Sequence, residues 1–378
     1  MIVIIADDIS GAAELAGVAR AHGLRSEVHT VFQPDTNAEV IAIDTESRSL
    51  SPNEAAEKVG EIARQVFDLN PDWIYKKTDS VCRGNLIAEI EAIMEAISAD
   101  QTVLIPANPE KARTIQDGRY QIEGVPLDQT AFAEDPEYPA RTADVLQLLG
   151  SRNRELRTIE SNAASIPGIN VPDVQTRQHL ENRAAECEPG ILTAGAAEFF
   201  AALLRNRVVP RTYSDPAENS TGRTLFVCGS WSGWSGGRVE DCKQRRIPTV
   251  TMPESLFTHD NAPSERGWAN EVCSAFDGSD TVMMAIGGTQ VSDIDPSLFI
   301  ERLSRSLQLV LEGTKVGRLC LEGGATAATV ARQLNWHRLE VMDPIAFGIA
   351  SMRVVRAKAP TLYIKPGSYP WPDMIWGC

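Results

Sequence analysis

Short apolar runs that end in polar side chains are the feature that most constrains how this chain can fold. The first run, Met1 to Ala6, is β-branched and uninterrupted, which is typical of a strand buried on both faces of a parallel sheet. It ends in Asp7-Asp8. A second run, Val40 to Ile43, also ends in polar residues, and a third, Asp72 to Tyr75, ends in two lysines. Because helix-type segments separate these runs, the sequence predicts a doubly wound α/β fold with functional groups at strand ends.

The length of the chain argues for more than one domain. A chain of 378 residues exceeds the ordinary size of a single hydrophobic core. Residues 211–222 are polar and rich in structure-breaking types, which is typical of a linker. We therefore expect two domains, over residues 1–210 and 223–378, each built as a largely parallel sheet flanked by helices. We expect the active site in the cleft between them.

Composition and charge argue against several classes of protein. The formal net charge is -15, and a nucleic-acid partner would require a basic surface. No apolar run reaches the roughly 20 residues of a membrane span, and the N-terminus lacks the basic start of a signal peptide. Seven scattered cysteines without a C-x-x-C pair are typical of a reducing compartment. We expect a soluble cytoplasmic protein, and the dispersed histidines predict no structural metal site.

The segment from Lys76 to Gly84 places three cations, one carboxylate and one hydroxyl directly after the third apolar run. Ligands of open α/β sheets collect at this end of the strands. Two lysines and an arginine can hold an anion there, whereas Asp79 and Ser80 can orient hydroxyl groups. The alternative interpretation is a solvated charged loop between a strand and a helix.

The adjacent carboxylates Asp7 and Asp8 favour a functional site. Two carboxylates at one strand end repel each other, so such a pair usually serves a cation or a hydroxyl. The alternative is an aspartate that caps a helix beside a solvated neighbour. Arg48, which follows the second run, can pair with a carboxylate bidentately or be an ordinary surface arginine.

A long segment rich in proline and glycine, residues 106–136, follows the apolar run Thr102 to Ile105. A loop of this length inside a compact domain is usually functional or disordered. Because the segment also contains Tyr120 and Phe132, we expect an ordered cover over the site that contains a hairpin.

Several motifs in this half, taken in order, resemble the four-carbon acid sugar kinase family. They are Asp7-Asp8-Ile9-Ser10-Gly11-Ala12, Lys77-Thr78-Asp79-Ser80-Val81-Cys82-Arg83-Gly84, Pro106-Ala107, Arg113-Thr114, and Gly124-Val125-Pro126-Leu127 to Asp135-Pro136. Members of that family phosphorylate threonate, erythronate and related acids with ATP. The resemblance implies that the first domain binds the sugar acid through Asp7, Asp8, Arg48, Lys77, Thr78, Asp79, Ser80 and Arg83.

The resemblance also implies a role for each kind of group. Cations would hold the carboxylate of the acid, and an aspartate would orient or deprotonate the attacking hydroxyl. Asp8 is the first choice for this base, and Asp79 is the rival. The implied cofactors are ATP and Mg²⁺, and the implied partners are the sugar acid and ATP. Apolar stripes on the predicted helices would permit a homodimer.

Glycine turns after apolar runs predict phosphate contacts in the second half. The run Arg223 to Cys228 precedes a Gly/Ser loop, which is either an anion site or simply a flexible turn. The turn Gly323-Gly324-Ala325-Thr326 is the better cradle, because its glycines permit close approach and Thr326 can donate a hydroxyl. The resemblance implies nucleotide contacts from these four residues, from Ser230 and from Gly367.

Ala325 stands where the family usually has an acidic residue, which leaves metal handling and nucleotide preference open. This departure admits a second interpretation, a catalytically weak or inactive paralogue with a sensory role, although the charged groups retained at the first-domain site argue against it. An oxidoreductase would need a dinucleotide fingerprint after the first strand, and the sequence has none. Trp371 or Trp376 can stack on adenine or, in the interpretation that we favour, pack as a C-terminal plug.

Overall fold

The computed structural model of the chain describes residues 1–135, 138–188, 190–211, 222–229, 237–257, 263–287, 296–346, 349–365 and 370–376. The chain divides into two compact units, Met1–Tyr213 and Ser214–Cys378. Each unit contains a mostly parallel set of strands flanked by helices.

Strands and helices alternate along the first unit. Its strands are β1 (Ile2–Ala6), β2 (Ser26–His29), β3 (Val40–Asp44), β4 (Trp73–Lys77), β5 (Gln101–Ile105), β6 (Arg113–Gln116), β7 (Arg119–Ile122), β8 (Val125–Pro126), β9 (Leu156–Ile159), β10 (Gly168–Pro172) and β11 (Leu192–Gly195). Its helices are α1 (Ile9–Ala21), α2 (Pro52–Phe67), α3 (Leu86–Ala96), α4 (Val145–Leu149), α5 (Arg177–Glu186) and α6 (Ala197–Arg207). Short 3₁₀ helices lie at Pro109–Lys111, Leu127–Gln129 and Ala131–Glu134.

The register of the strands brings the predicted polar strand ends together. The strand order is β2-β3-β1-β4-β11-β5-β10-β9, and the pairings are parallel. Ala6 lies opposite Asp44 on one side and opposite Lys77 on the other. The carboxyl ends of β3, β1 and β4 are therefore level, and the residues that follow them meet at one edge of the sheet.

Local sequence sets where the flanking helices begin. Asp8 caps α1, because its side chain accepts a hydrogen bond from the backbone N–H of Gly11. Helix α2 begins with a capping box between Ser51 and Glu54, and Pro52 takes the first helical position. A cap of this kind stabilises a helix by about 1 kcal/mol. The buried apolar face of α2 packs against α3.

The segment rich in proline and glycine is ordered and contains the hairpin that the sequence predicts. Strands β6, β7 and β8 form a small antiparallel sheet. Tyr120 on β7 is completely buried, which fixes this sheet to the body of the first unit.

The second unit has strands β12 (Arg223–Cys228), β13 (Thr249–Thr251), β14 (Thr281–Ala285), β15 (Val316–Glu322), β16 (Arg338–Ala346), β17 (Ile349–Val354) and β18 (Thr361–Lys365). Its helices are α7 (Val239–Gln244), α8 (Pro263–Ala275), α9 (Pro296–Gly313) and α10 (Gly324–Gln333), with 3₁₀ helices at Glu254–Leu256 and Asp373–Ile375. The order is β13-β14-β12-β15-β18-β17-β16. The first five strands in this order, β13, β14, β12, β15 and β18, pair in parallel. Strand β17 is antiparallel to both of its neighbours, β18 and β16.

The two tryptophans near the C-terminus are part of the core of the second unit. Trp376 stacks on Phe226 of β12 with ring centroids 4.3 Å apart, and Trp371 meets the same ring edge-on at 5.7 Å. Both indoles are buried. The prediction of a packed C-terminal plug is therefore confirmed, and the adenine-stacking alternative is wrong for this arrangement.

The predicted fold class, α/β with largely parallel sheets between helices, is confirmed. The elements that the sequence analysis missed include β10, β13, β16, β17 and α8. Gly195 packs so closely on β5 that an added Cβ would lie 2.0 Å from the carbonyl oxygen of Ile105. None of the helices in the described ranges has the length and apolarity to cross a bilayer.

Candidate active site

Arg48 joins the two aspartates that follow β1. Its Nε donates to Asp7 Oδ2 at 2.7 Å, and its Nη1 lies 3.1 Å from Asp8 Oδ2. Asp8 also accepts hydrogen bonds from the Ser10 hydroxyl and from the backbone N–H of Gly11, at 2.8 Å for the latter. The predicted pairing of Arg48 with a carboxylate is confirmed, and Asp8 is at once a helix cap and part of a charged cluster.

The carboxylates at this edge differ in how readily they ionise. Burial raises the pKa of Asp8, but Arg48 and the Ser10 hydroxyl lower it more, so the net pKa lies below its ordinary value. Burial raises the pKa of Asp44, at the end of β3, well above its ordinary value, and the neighbouring charge of Asp8 adds to the effect. Asp44 Oδ1 accepts from the backbone N–H of Glu46 at 2.9 Å, whereas Oδ2 is buried without a hydrogen-bond partner. The cluster therefore combines an ionised carboxylate with one that resists ionisation.

The two lysines at the end of β4 face opposite sides of the sheet, as the two-residue period of a strand requires. Lys76 is fully buried and pairs with Glu89 of α3, with Nζ 2.6 Å from Oε2. Lys77 lies on the side of α1, where its Nζ is 3.5 Å from Glu14 Oε2 and donates to the backbone carbonyl of Thr78. The prediction that both lysines hold an anion is wrong for Lys76, because a buried carboxylate already neutralises it.

Gly11 brings the first turn of α1 against Lys77. An added Cβ at Gly11 would lie 2.7 Å from Asp8 Oδ1 and 3.2 Å from Lys77 Cγ. Distances this short do not occur at real Cβ atoms, so only glycine fits here without displacing a neighbour.

Asp79 and Arg83 are bound to each other within the loop after β4. The Asp79 carboxylate accepts from the backbone N–H groups of Val81 and Arg83, at 3.0 and 3.2 Å, and from the Arg83 guanidinium at 2.8 and 3.2 Å. Burial raises the pKa of Asp79, but Arg48 and Arg83 lower it far more, so the group stays ionised. These bonds make Asp79 the organising centre of its loop.

Side chains of the hairpin segment hold the loop after β4 in place through hydrogen bonds. The Arg113 guanidinium of β6 donates to the Ser80 hydroxyl, and the Tyr120 hydroxyl of β7 donates to the Ser80 carbonyl. Further along, Asp135 pairs with Arg83 at 3.3 Å. The predicted cover therefore lies on the predicted site.

The loop that carries Arg48 is also held from two directions. The Asn85 carboxamide donates to the carbonyls of Ser47, Arg48 and Leu50, at 3.1, 3.4 and 2.8 Å. The Tyr138 hydroxyl donates to the same Arg48 carbonyl at 3.0 Å. Arg48 is thus positioned by neighbours that do not touch its guanidinium.

In the second unit, a buried carboxylate ends β15. Glu322 accepts from the Arg238 guanidinium at 2.9 and 3.2 Å, lies 3.1 Å from Lys365 Nζ, and accepts from the Trp371 indole at 3.2 Å. Burial lowers the pKa of Lys365 to about 8, with Glu322 opposing the shift and Arg238 adding to it. Arg238 also pairs with Asp241, so two cations and two carboxylates lie next to the glycine turn.

The glycine turn that follows Glu322 leads directly into α10. Gly323 has a φ of 97° and precedes α10, and its N–H donates to the Lys365 carbonyl at 3.0 Å. An added Cβ at Gly229, after β12, would lie 2.2 Å from Thr326 Oγ1. Thr326 is buried, and its hydroxyl packs against Gly229, the residue directly after β12.

The sequence of this chain is similar to those of known proteins. A family model described as a sugar-binding N-terminal domain matches residues 2–203, which is more than half of the chain. The chain belongs to the four-carbon acid sugar kinase family. Its membership places it among phosphotransferases that act on an alcohol group.

Curated relatives of the kinase family align over nearly the whole chain. A D-threonate kinase from Bordetella bronchiseptica is 34% identical and covers 98% of this chain and 95% of its own length. A D-threonate kinase from Salmonella typhimurium is 28% identical, over 91% of this chain and 89% of the relative. A crystal structure from Haemophilus influenzae superposes with a TM-score of 0.72 at 21% identity, covering 99% of this chain and 98% of that one, which shows a shared fold.

The structure brings together most of the site residues that the kinase resemblance implies. In the first unit these are Asp7, Asp8, Arg48, Lys77, Thr78, Asp79, Ser80 and Arg83; Lys77 ends β4, and the others lie on the loops after β1, β3 and β4. In the second unit Gly323, Gly324, Ala325 and Thr326 form the start of α10. Ser230 and Gly367 lie outside the described residues.

The sequence analysis indicated the polar end of the second apolar run, where Asp44 lies, but missed three other charged groups that lie at these sites. Glu322 also ends an apolar run, so the rule that drew attention to Asp7 applies to it as well. Lys111 and Glu198 gave no such signal, because their positions follow from how the hairpin segment and α6 fold back on β4.

Proposed function

We propose that this chain is an ATP-dependent kinase that phosphorylates a hydroxyl group of a small sugar acid, threonate-like or erythronate-like, by direct phosphoryl transfer. The observation that carries the proposal is the arrangement of Asp8 between Arg48 and the first turn of α1, with Lys77 packed against that turn. It offers a carboxylate for a hydroxyl and cations for an acid at one edge of the sheet. Phosphoryl transfer needs such positioning and charge neutralisation more than covalent chemistry.

Asp8 is the proposed base. Its side chain is 19% exposed, against 3% for Asp7 and 8% for Asp79, so it is the most accessible of the three carboxylates. The four bonds that Asp79 accepts commit it to holding its own loop. A low pKa does not disqualify Asp8, because a loose transition state demands little proton abstraction before the phosphoryl group has moved.

ATP is proposed to bind through the glycine turn of the second unit. The positive φ of Gly323, the close approach of Gly229 to Thr326, and the cations Arg238 and Lys365 beside Glu322 all suit a phosphate group. The described residues contain no cluster of three or more His, Cys, Asp or Glu side chains suited to a metal ion. That fits a Mg²⁺ that is held mainly by ATP phosphates and by one or two carboxylates, where it would neutralise charge on the transferred group.

A coupled ADP-release assay with ATP, Mg²⁺ and a panel of D- and L-threonate and D- and L-erythronate tests the proposal. We expect turnover of at least one acid and a fall of about 100-fold or more in kcat for Asp8→Asn, the usual scale for loss of a proton-accepting group. Asp68→Asn, at an exposed carboxylate at the end of α2, is the matched control and should leave kcat unchanged.

The other outcomes separate the alternatives. ATP binding without turnover of any acid would overturn the kinase proposal and favour a sensory paralogue. Full activity in Asp8→Asn together with its loss in folded Asp79→Asn would move the base to Asp79.

A further inference from the structure

Ser80, in the loop after β4, is held by the hairpin segment at both of its oxygens. The Arg113 guanidinium of β6 donates to the Ser80 hydroxyl, and the Tyr120 hydroxyl of β7 donates to the Ser80 carbonyl. Ser80 is half-buried, whereas Tyr120 is completely buried. A distant part of the sequence therefore fixes the orientation of Ser80.

The two donors are themselves held in place. The backbone N–H of Arg113 donates to the Asn108 carbonyl at 3.0 Å, and the N–H of Asn108 donates to the Arg113 carbonyl at 2.8 Å. The guanidinium carbon of Arg113 lies 5.6 Å from the centre of the Phe132 ring, which is within the range of a cation–π contact. Burial raises the pKa of Tyr120 well above its ordinary value, so its hydroxyl keeps the proton that it donates.

The bond from Arg113 decides which way the Ser80 hydroxyl is used. A serine hydroxyl can donate and accept, whereas a guanidinium contains donors only. The Ser80 oxygen must therefore accept from Arg113, and its single hydroxyl hydrogen is left for another acceptor. A bond from a charged donor also polarises the hydroxyl and makes it a stronger donor. Ser80 thus presents a donor to the site.

A carboxylate suits this donor better than a neutral hydroxyl group. A carboxylate only accepts, whereas a hydroxyl group of a polyol has a hydrogen of its own that needs an acceptor. A hydrogen bond to an ionised acceptor is about twice as strong as one between neutral groups. The positive charges of Arg113 and of Lys77, at the end of β4, favour the same choice. The ionised Asp79 in the same loop opposes it little, because Arg83 pairs with that carboxylate at 2.8 Å.

We infer that Arg113 is a positioning residue that acts through the Ser80 hydroxyl and makes the site select a carboxylate over a neutral hydroxyl group. The inference rests on the proposed function and assigns the two ends of its substrate. The carboxylate of the sugar acid binds at Ser80, and the hydroxyl that is phosphorylated lies towards Asp8.

A double-mutant cycle tests whether Arg113 acts through Ser80. Steady-state constants for D-threonate and D-erythronate are measured in the wild type, Ser80→Ala, Arg113→Met and the double variant. Each single change should raise KM for the preferred acid about 10- to 100-fold, the scale of a lost hydrogen bond to a charged group, and leave KM for ATP within about twofold. In the Ser80→Ala background, Arg113→Met should add less than about threefold, because the hydroxyl through which it acts is absent. Arg119→Met, at an exposed arginine of β7, is the matched control and should behave as the wild type.

A comparison of acids with polyols gives a readout that a merely structural role would not move. Threitol and erythritol, which lack the carboxylate, are measured as substrates and as competitive inhibitors. Arg113→Met should change their kcat/KM or inhibition constants by less than about threefold, so the preference for the acid falls by nearly the full change in its KM.

Two conservative variants separate the direction of the Ser80 hydroxyl from the shape of the side chain beside it, and they serve also if Arg113→Met does not fold. Arg113→Lys keeps donors and adds no acceptor, so it should retain most of the preference for the acid. Arg113→Gln is similar in length but has a carbonyl oxygen that can accept the Ser80 hydrogen, so it should lose the preference.

The results distinguish this inference from the proposed function. If the wild type turns over none of the acids, the proposed function fails and the inference fails with it. If the wild type turns over an acid, the inference alone is overturned by an unchanged preference in folded Arg113→Met, or by an equal loss of activity with acid and polyol. Effects of Ser80→Ala and Arg113→Met that multiply in the double variant would also overturn it, and so would a greater loss of preference in Arg113→Lys than in Arg113→Gln.

Discussion

Replacing Gly11 by alanine separates what the first turn of α1 does for stability from what it does for the site. The backbone of Gly11 is helical, so alanine would normally be preferred there. The added Cβ, however, would lie 2.7 Å from Asp8 Oδ1 and 3.2 Å from Lys77 Cγ. Asp8 is held by Arg48 and Ser10 as well, so it can move only by breaking those bonds.

The two effects on stability nearly cancel. Alanine in place of glycine favours a helix by about 1 kcal/mol. A weakened Asp8 cap costs about 1 kcal/mol, within a range of roughly 0.5–2. The free energy of unfolding should therefore change by less than about 1 kcal/mol. The effect on catalysis is different, because a displacement of about 1 Å at a reacting group can lower kcat about 100-fold, which is about 2.7 kcal/mol in the barrier.

Gly60→Ala is the matched control. Gly60 lies within α2, and an added Cβ there would meet its nearest atoms at 3.5 to 3.8 Å, which are ordinary contacts. This variant should gain about 1 kcal/mol in urea unfolding and keep its activity. Urea titrations and steady-state kinetics of both variants test the reasoning. Wild-type kcat/KM in Gly11→Ala would refute it, and so would a loss of several kcal/mol in stability that accounts for the lost activity.

Two further predictions concern buried carboxylates. The pKa of Asp44 is raised well above its ordinary value of 3.8, so folded protein retains a proton that the unfolded chain releases, and stability falls as pH rises through that window. Asp44→Asn should therefore raise Tm relative to wild type by an amount that grows as pH rises above about 4, and parallel Tm curves in calorimetry would contradict this. Glu322→Gln should destabilise the chain by roughly 3 kcal/mol, because Arg238 and Lys365 would stay buried without their carboxylate. Chemical denaturation measures the effect, and an unchanged midpoint would argue that these cations are already neutralised by other groups.

Strand ends were predictable from the sequence because burial and chemistry change abruptly there. Met1 to Ala6 must be buried, and the two aspartates after it must not be left without partners, so their place at a sheet edge follows from pattern alone. A pairing of Arg48 with a carboxylate was one of two expectations on the same ground, and in the structure Arg48 contacts two carboxylates through one nitrogen each. The separation of Lys76 from Lys77 was also within reach, since alternate residues of a strand face opposite sides.

Contacts between distant segments were not predictable. The backbone N–H of Glu110 meets the Glu198 carboxylate only because the hairpin segment folds over β4 and α6 follows β11, and no spacing in the sequence encodes that meeting. Strand β10 is short and contains glycine, asparagine and proline, so its composition indicates a loop, and pairing with β5 and β9 is what makes it a strand. In the second unit, the cations that neutralise Glu322 come from α7 and β18, which are far apart in sequence.

Lys76 and Lys77 are adjacent lysines, but selection for stability and selection for activity would act on them differently. A screen for folded protein alone, such as one for survival of cellular proteolysis, would act on Lys76, whose pair with Glu89 is 2.6 Å long, more strongly than on Lys77, whose pair with Glu14 is 3.5 Å long. A screen for growth on the sugar acid would act on both. Compensation should differ in the same way, since loss of Lys76 is open to rescue by a neutral residue at Glu89, whereas a neutral residue at Glu14 could restore charge balance after loss of Lys77 but not a contact with the substrate. Two adjacent codons for one amino acid would therefore evolve as independent sites.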